Sequence, residues 1–178
     1  PTQADVKQRH PDGSVRHAII SAVIPQIAAG AALKLSFVNQ ATGRQQGAPD
    51  KAAMLAANYN FDATIEAKFA DLPLHAVSAR AMLEQDKFSY WTQGDIATTI
   101  LLVDHSVERV FDFGADQHRS VRPAFYATFW PALNKVQVRY VGEITNSLVL
   151  QDQLYDLTLK GGQQAPAVLY QQAALPHQ

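Results

Sequence analysis

Apolar residues recur at strict period two through Phe61, Ala63, Ile65, Ala67 and Phe69, the spacing of a strand with one buried face. Leu33, Leu35 and Phe37 alternate with Lys34 and Ser36, which predicts a half-buried strand over residues 33–38. Residues 18–24 are apolar or small on both faces, with Ala18, Ile20, Ala22 and Ile24 on one and Ile19 and Val23 on the other. That pattern predicts a strand covered on both sides and central in its sheet, ended by Pro25, which has no N–H for a ladder.

Turn and cap residues divide these runs. Asp12-Gly13 predicts a two-residue type I′ hairpin, with His17 opposite Gln8 and His10 opposite Val15. Residues 39–50 are turn-rich and read as a loop, and Asp50 is placed to N-cap a short helix that stops near Asn58. Residues 76–86 combine helix-forming side chains with strand neighbours on both sides, so either element is open there. Further strands are expected at 88–92, 95–103, 107–113, 124–129, 135–145 and 148–160. The fold class is therefore mainly β, an antiparallel barrel or sandwich of about ten strands with one or two short helices. Residues 1–162 are expected to form a single β domain. Residues 163–178, rich in Gln, Ala and Pro, read as a linker or a strand leading to a missing or partner domain.

Composition narrows the partners. Charged residues make up 17% of the 178, against roughly 25% in average soluble proteins, while hydrophobic residues make up 47%. The chain is too apolar for disorder, and its net charge of −1 creates no basic field for nucleic acid. Polar surface comes instead from neutral groups, since there are 28 alanines and 17 glutamines. Predicted strands carry Ala, Gln and Thr where a free monomer would place Lys or Glu to protect its edges. Part of the surface is thus expected to be covered by another domain or subunit. With no apolar run near eighteen residues, no membrane span is expected; with no Met at position 1, a trimmed or excised piece is. Zero cysteines exclude disulfides, thiolate zinc sites and cysteine nucleophiles, without specifying a compartment.

Chemistry-bearing residues are scattered. His10, His17, His75, His105, His118 and His177 form no metal-ligand spacing, and no metal or other cofactor is expected. Asp95, Asp104, Asp112, Asp116 and Glu143 are carboxylates from which a sugar-cleaving pair would have to come. The stretch 110–123 joins aromatics to Asp112, Asp116, His118, Arg119 and Arg122, a mixture suited to gripping an acidic sugar or to forming a solvated loop of internal ion pairs. Candidate ligand-binding residues are Asp116, His118, Arg119, Arg122, Tyr126 and Trp91; Phe125, Phe129 and most other nearby aromatics read as core. Neither a GxSxG elbow nor a phosphate loop occurs, and no catalytic residue is assigned.

The run from Asp5 through Pro11-Asp-Gly-Ser-Val-Arg-His17-Ala-Ile-Ile-Ser resembles the amino-terminal β-barrel (RIFT-related) domain of exo-rhamnogalacturonan lyase-like proteins, the YetA-like group. Trp91-Thr-Gln-Gly94-Asp, Phe111-Asp-Phe-Gly114 and the alternating valines up to Tyr140 are similar to it as well, although His17 stands where that pattern commonly has an aromatic. Segments also resemble bacteriophage virion and tail proteins. The resemblance implies an accessory β module, with any lyase chemistry in a separate following domain.

Together these readings lead to a non-catalytic β module of a larger extracellular or virion-associated protein, acting as scaffold or assembly surface with glycan contact as an accessory role. Its expected partners are other domains or subunits and polysaccharide. The alternative is a fragment of an acidic-polysaccharide (pectin- or rhamnogalacturonan-type) lyase. In that case His118 or Tyr126 would act as base and Arg119 or Arg122 would neutralise the uronate.

Overall fold

The computed structural model describes residues 2–24, 26–36, 38, 47–114, 120–146 and 153–177. Its elements are β1 (Thr2–Arg9), β2 (Val15–Ala22), α1 (Lys51–Met54), β3 (Ala63–Lys68), β4 (His75–Ser78), α2 (Ala79–Glu84), β5 (Phe88–Thr92), β6 (Thr98–Leu102), β7 (Phe113–Gly114), β8 (Ser120–Trp130), β9 (Lys135–Asn146), β10 (Gln153–Gly161) and β11 (Ala167–His177). The chain is mainly β, as its patterning predicts, and all pairings are antiparallel. One sheet runs β11-β10-β3-β4; a second runs β5-β6-β8, with β9 along the other edge of β8 and the two-residue β7 beside its start.

These two sheets pack as a sandwich. Period two in 61–69 delivers what it predicts, because Phe61, Ile65, Ala67 and Phe69 are all buried. They meet Ile100 and Leu102 of β6 and Phe125, Ala127 and Phe129 of β8 in one core. Phe129 receives two rings edge-on, Tyr59 and Phe61, each with its centroid 5.1 Å away. Asp50 caps α1 by accepting from the Ala53 N–H at 2.8 Å. Residues 76–86 contain both elements in succession: β4 ends at Ser78, whose hydroxyl accepts from the Ala81 N–H at 3.0 Å and starts α2. Met82 and Leu83 of α2 are fully buried in the same core. No helix among the described residues is long and apolar enough to cross a membrane.

Four local expectations are corrected. The hairpin turn is a three-residue loop, not type I′: Gly13 N–H donates to His10 O at 2.9 Å, and His10 N–H donates to Ser14 O at 2.8 Å. Pro11 presets the first corner of a type I turn, so that only Gly13 needs positive φ, at 86°. His17 does sit opposite Gln8, but His10 faces Ser14 across the loop. Next, β2 is not a central strand. It pairs with β1 alone in a separate two-stranded ribbon, and Ile20 stays 48% exposed.

Residues 33–36 and 38 form no strand, and Leu33, Leu35 and Val38 are exposed; Pro25 and Phe37 lie outside the described residues. The strand expected over 107–113 shrinks to β7, since Asp104 gathers the preceding loop through side-chain hydrogen bonds that replace a ladder. Two strand starts also move. β6 begins at Thr98 because 93–97 forms a loop, and β10 begins at Gln153, with 147–152 outside the described residues. Residues 167–177 supply β11, which hydrogen-bonds along β10 and forms the outer edge of its sheet.

Candidate functional site

The ribbon β1–β2 is attached to the sandwich by polar groups. Alternation along β1 puts Gln3 and Asp5 on the inner face and Thr2, Ala4 and Val6 on the outer one. Gln3 is 1% exposed and Asp5 5%. The Gln3 amide fills all of its hydrogen-bonding positions: Nε2 donates to Asp5 Oδ2 and to Ala97 O, both at 2.7 Å, and Oε1 accepts from Ile96 N–H at 3.1 Å and Ala97 N–H at 3.0 Å. Asp5 Oδ1 accepts from the Gln93 N–H at 2.7 Å. Gly94 makes this approach feasible, because a Cβ there would overlap the Gln3 side-chain amide.

Seen from outside, the ribbon has the reverse of the usual polarity. Register sets Ala4 opposite Ile20, Val6 opposite Ala18 and Thr2 opposite Ala22 on the outer face. Val6, Ile20, Val23 and Ile24 are exposed there and just beyond, and Ile27, Leu33 and Leu35 extend the exposed apolar run. A ribbon that buries Gln and Asp while presenting Val and Ile to solvent gains stability from hydrogen bonds, not from its apolar side chains.

The second cluster surrounds the loop 103–112. Asp104 is completely buried. It accepts from Ser106 N–H at 2.9 Å, Ser106 Oγ–H at 2.6 Å and Phe111 N–H at 3.4 Å, and pairs with Lys87 Nζ at 3.1 Å. Burial pushes its pKa up, but the Ser106, Lys87 and Phe111 hydrogen bonds outweigh burial and hold the carboxyl well below the usual range. Asp112 moves the other way. Its side chain is 2% exposed, Oδ2 is buried without a hydrogen-bond partner among the described residues, and Arg122 Nε lies 3.4 Å from Oδ1. Burial raises its pKa against the opposing charges of Arg122 and Arg109, with Asp104 adding to the rise. Two carboxylates driven apart in this way resemble an acid–base pair, yet Asp104 is consumed by four structural partners and Asp112 is closed to solvent. The arrangement is suited to clamping a loop.

Of the candidate ligand residues, the described ones, Arg122, Tyr126 and Trp91, do not form one cluster. Asp116, His118 and Arg119 lie outside the described residues. Arg122 is engaged with Asp112 and sits opposite Glu143 in the β8–β9 register. Tyr126 is four residues further along β8, about 13 Å at strand rise, so its ring does not share a pocket with the Arg122 pair. Arg139 stands over the Tyr126 ring, 5.8 Å from its centroid. Trp91, on β5, is half-exposed and carries the Lys7 ammonium 4.6 Å above its ring. Trp91 and Tyr126 therefore each have a cation on one face. Phe125 and Phe129 are core, as expected, whereas Tyr90, Trp91 and Tyr126 are exposed. Of the remaining carboxylates, Asp95 and Glu143 are exposed. Among the described residues no three His, Asp or Glu side chains come together as a metal-binding group.

No catalytic or binding motif marks Gln3, Asp5 and Gly94. Their signal in sequence is the alternation of polar Gln3, Asp5 and Lys7 with Ala4 and Val6, which defines two faces without naming the buried one.

No family model matches the chain, and no curated protein or solved structure is significantly similar to it. The likeness to the exo-rhamnogalacturonan lyase-like module rests on its motif residues alone.

Proposed function

We propose that this chain is a non-catalytic β module of a larger extracellular or virion-associated, phage tail-like protein, in which it serves as a scaffold and assembly surface. The observation that carries this reading is the inverted ribbon. Gln3 and Asp5 lock its polar face onto the 93–97 loop, which leaves Val6 and Ile20 outward, with Val23 and Ile24 exposed just beyond β2. Contiguous exposed apolar surface of this kind marks sites where proteins meet. Low charge supports it, because residues 161–178 contain no Asp, Glu, Lys or Arg, so the edge strand β11 lacks the charges that usually discourage strand pairing. Glycan contact, as an accessory role, would fall on the exposed Trp91 and Tyr126 rings beside Lys7 and Arg139.

Hydrogen exchange tests the proposal by comparing this chain alone with the same residues inside the parent protein or assembled particle. Protection of 18–24 and 167–177 beyond that given by the β1–β2 and β10–β11 ladders is expected only in the parent. Val6→Lys with Ile20→Lys should abolish that added protection of 18–24 without unfolding the sandwich. Equal exchange in both contexts, or cleavage of a pectic polysaccharide by this chain alone, would overturn it.

A further inference from the structure

Between the two sheets opens a cleft of about 440 Å³, within the size range of small-molecule sites. Its origin is local. Ala63 of β3 pairs with Gly161 of β10, so two positions with almost no side chain lie next to each other on one wall. Leu169 also lines the cleft, its Cδ1 2.7 Å from where a Cβ on Gly161 would stand. Val136, Val138 and Tyr140 of β9 form the facing wall and are only partly buried.

Polar groups at the cleft are of two kinds. The charged ones are engaged: Lys160 Nζ is 2.5 Å from Glu66 Oε1, and Asp62 accepts from Ser78 Oγ–H at 2.8 Å and Arg80 N–H at 3.2 Å. The tyrosines are not. Tyr59 and Tyr140 both line the cleft, and neither hydroxyl donates to an acceptor among the described residues. Burial raises both phenols further above neutrality, so they remain O–H donors.

We propose that this cleft binds a small, uncharged, largely apolar molecule that carries one carbonyl-type acceptor. Apolar walls take its ring or chain, a tyrosine hydroxyl donates to the acceptor, and the neutralised rim offers a carboxylate no free cation. The inference is independent of the assembly role.

The test is an amide-shift NMR titration of the whole chain with propiophenone, with propylbenzene as the matched probe lacking a carbonyl. Saturable shifts are expected at Ala63, Val136, Val138 and Leu159. Tyr140→Phe or Tyr59→Phe should weaken propiophenone about three- to tenfold, the loss of one hydrogen bond, and leave propylbenzene unchanged. Ala63→Leu and, from the opposite wall, Val138→Phe should each abolish binding. The proposal is overturned if propiophenone produces no saturable shifts at these residues in the unsubstituted chain. It is equally overturned if a folded blocking variant binds as before, or if both tyrosine variants bind the two probes as the unsubstituted chain does.

Discussion

Gln3 and Ala97 hold each other by a reciprocal pair of hydrogen bonds: the Gln3 amide donates to the Ala97 carbonyl at 2.7 Å and accepts from the Ala97 N–H at 3.0 Å. A side chain thus imitates a backbone bridge between segments ninety-four residues apart. The ribbon's position depends on it, because the ribbon shares no ladder with either sheet.

Gln3→Leu should release the ribbon. It strands the Ile96 and Ala97 N–H groups and removes the donor to Asp5, at a cost of about 2–4 kcal/mol for orphaned buried groups. Urea unfolding reads the cost. Hydrogen exchange should accelerate at 93–97 and in β1 while β3, β6 and β8 keep their protection. An unaltered exchange map would count against the docking role.

Gly94→Ala should destabilise by about 1–3 kcal/mol, since its methyl needs the volume of the Gln3 amide. The two sites are coupled, so Gln3→Ala with Gly94→Ala should lose less than the sum of the single losses. Additive losses in a double-mutant cycle would show that the overlap is relieved elsewhere.

Asp104 should make stability pH-dependent on the acid side. Its folded pKa is depressed below the ordinary 3.8, so its contribution is fully present above about pH 4 and is lost progressively as pH falls. Asp104→Asn is expected to cost about 3 kcal/mol at pH 7 by unpairing the partly buried Lys87 ammonium and the buried Phe111 N–H. The difference from the unsubstituted chain should narrow below pH 4. Asp112 has the opposite sign: its raised folded pKa favours the protonated form, so any stability it adds is present at low pH and fades as it ionises. Asp112→Asn should therefore be far less harmful at pH 7 than Asp104→Asn, as thermal melts across pH would reveal.

Val6→Lys with Ile20→Lys should change the stability of the isolated chain by less than about 0.5 kcal/mol per site, as expected for exposed positions. The same pair should raise solubility and reduce self-association in sedimentation velocity. A large stability loss would mean that these side chains are covered within the chain itself.

Much of the sandwich was legible because its signals are local. Period two over 61–69, the Asp50 cap and the hairpin position each depend on residues a few places apart. The turn type was misread: Pro11 ahead of Asp12 and Gly13 suits a type I corner, a signal the Asp-Gly pair obscured. For the candidate site, chemistry was visible but convergence was not. Arg122 and Asp112 were both candidates, and they meet each other in place of a substrate.

By itself, then, the sequence determined the mainly β class, the strand with a fully apolar face, the Asp50 cap and the scarcity of charge. Each follows from propensity and period within a single element. Tertiary structure decided which face of the ribbon is covered, that 18–24 lies outside both sheets, and that Asp104 serves a loop. The reason is that burial of a polar group is tolerated only where partners await it. For Gln3 and Asp5 those partners are backbone groups of residues 93–97, whose arrival no pattern around residue 3 records.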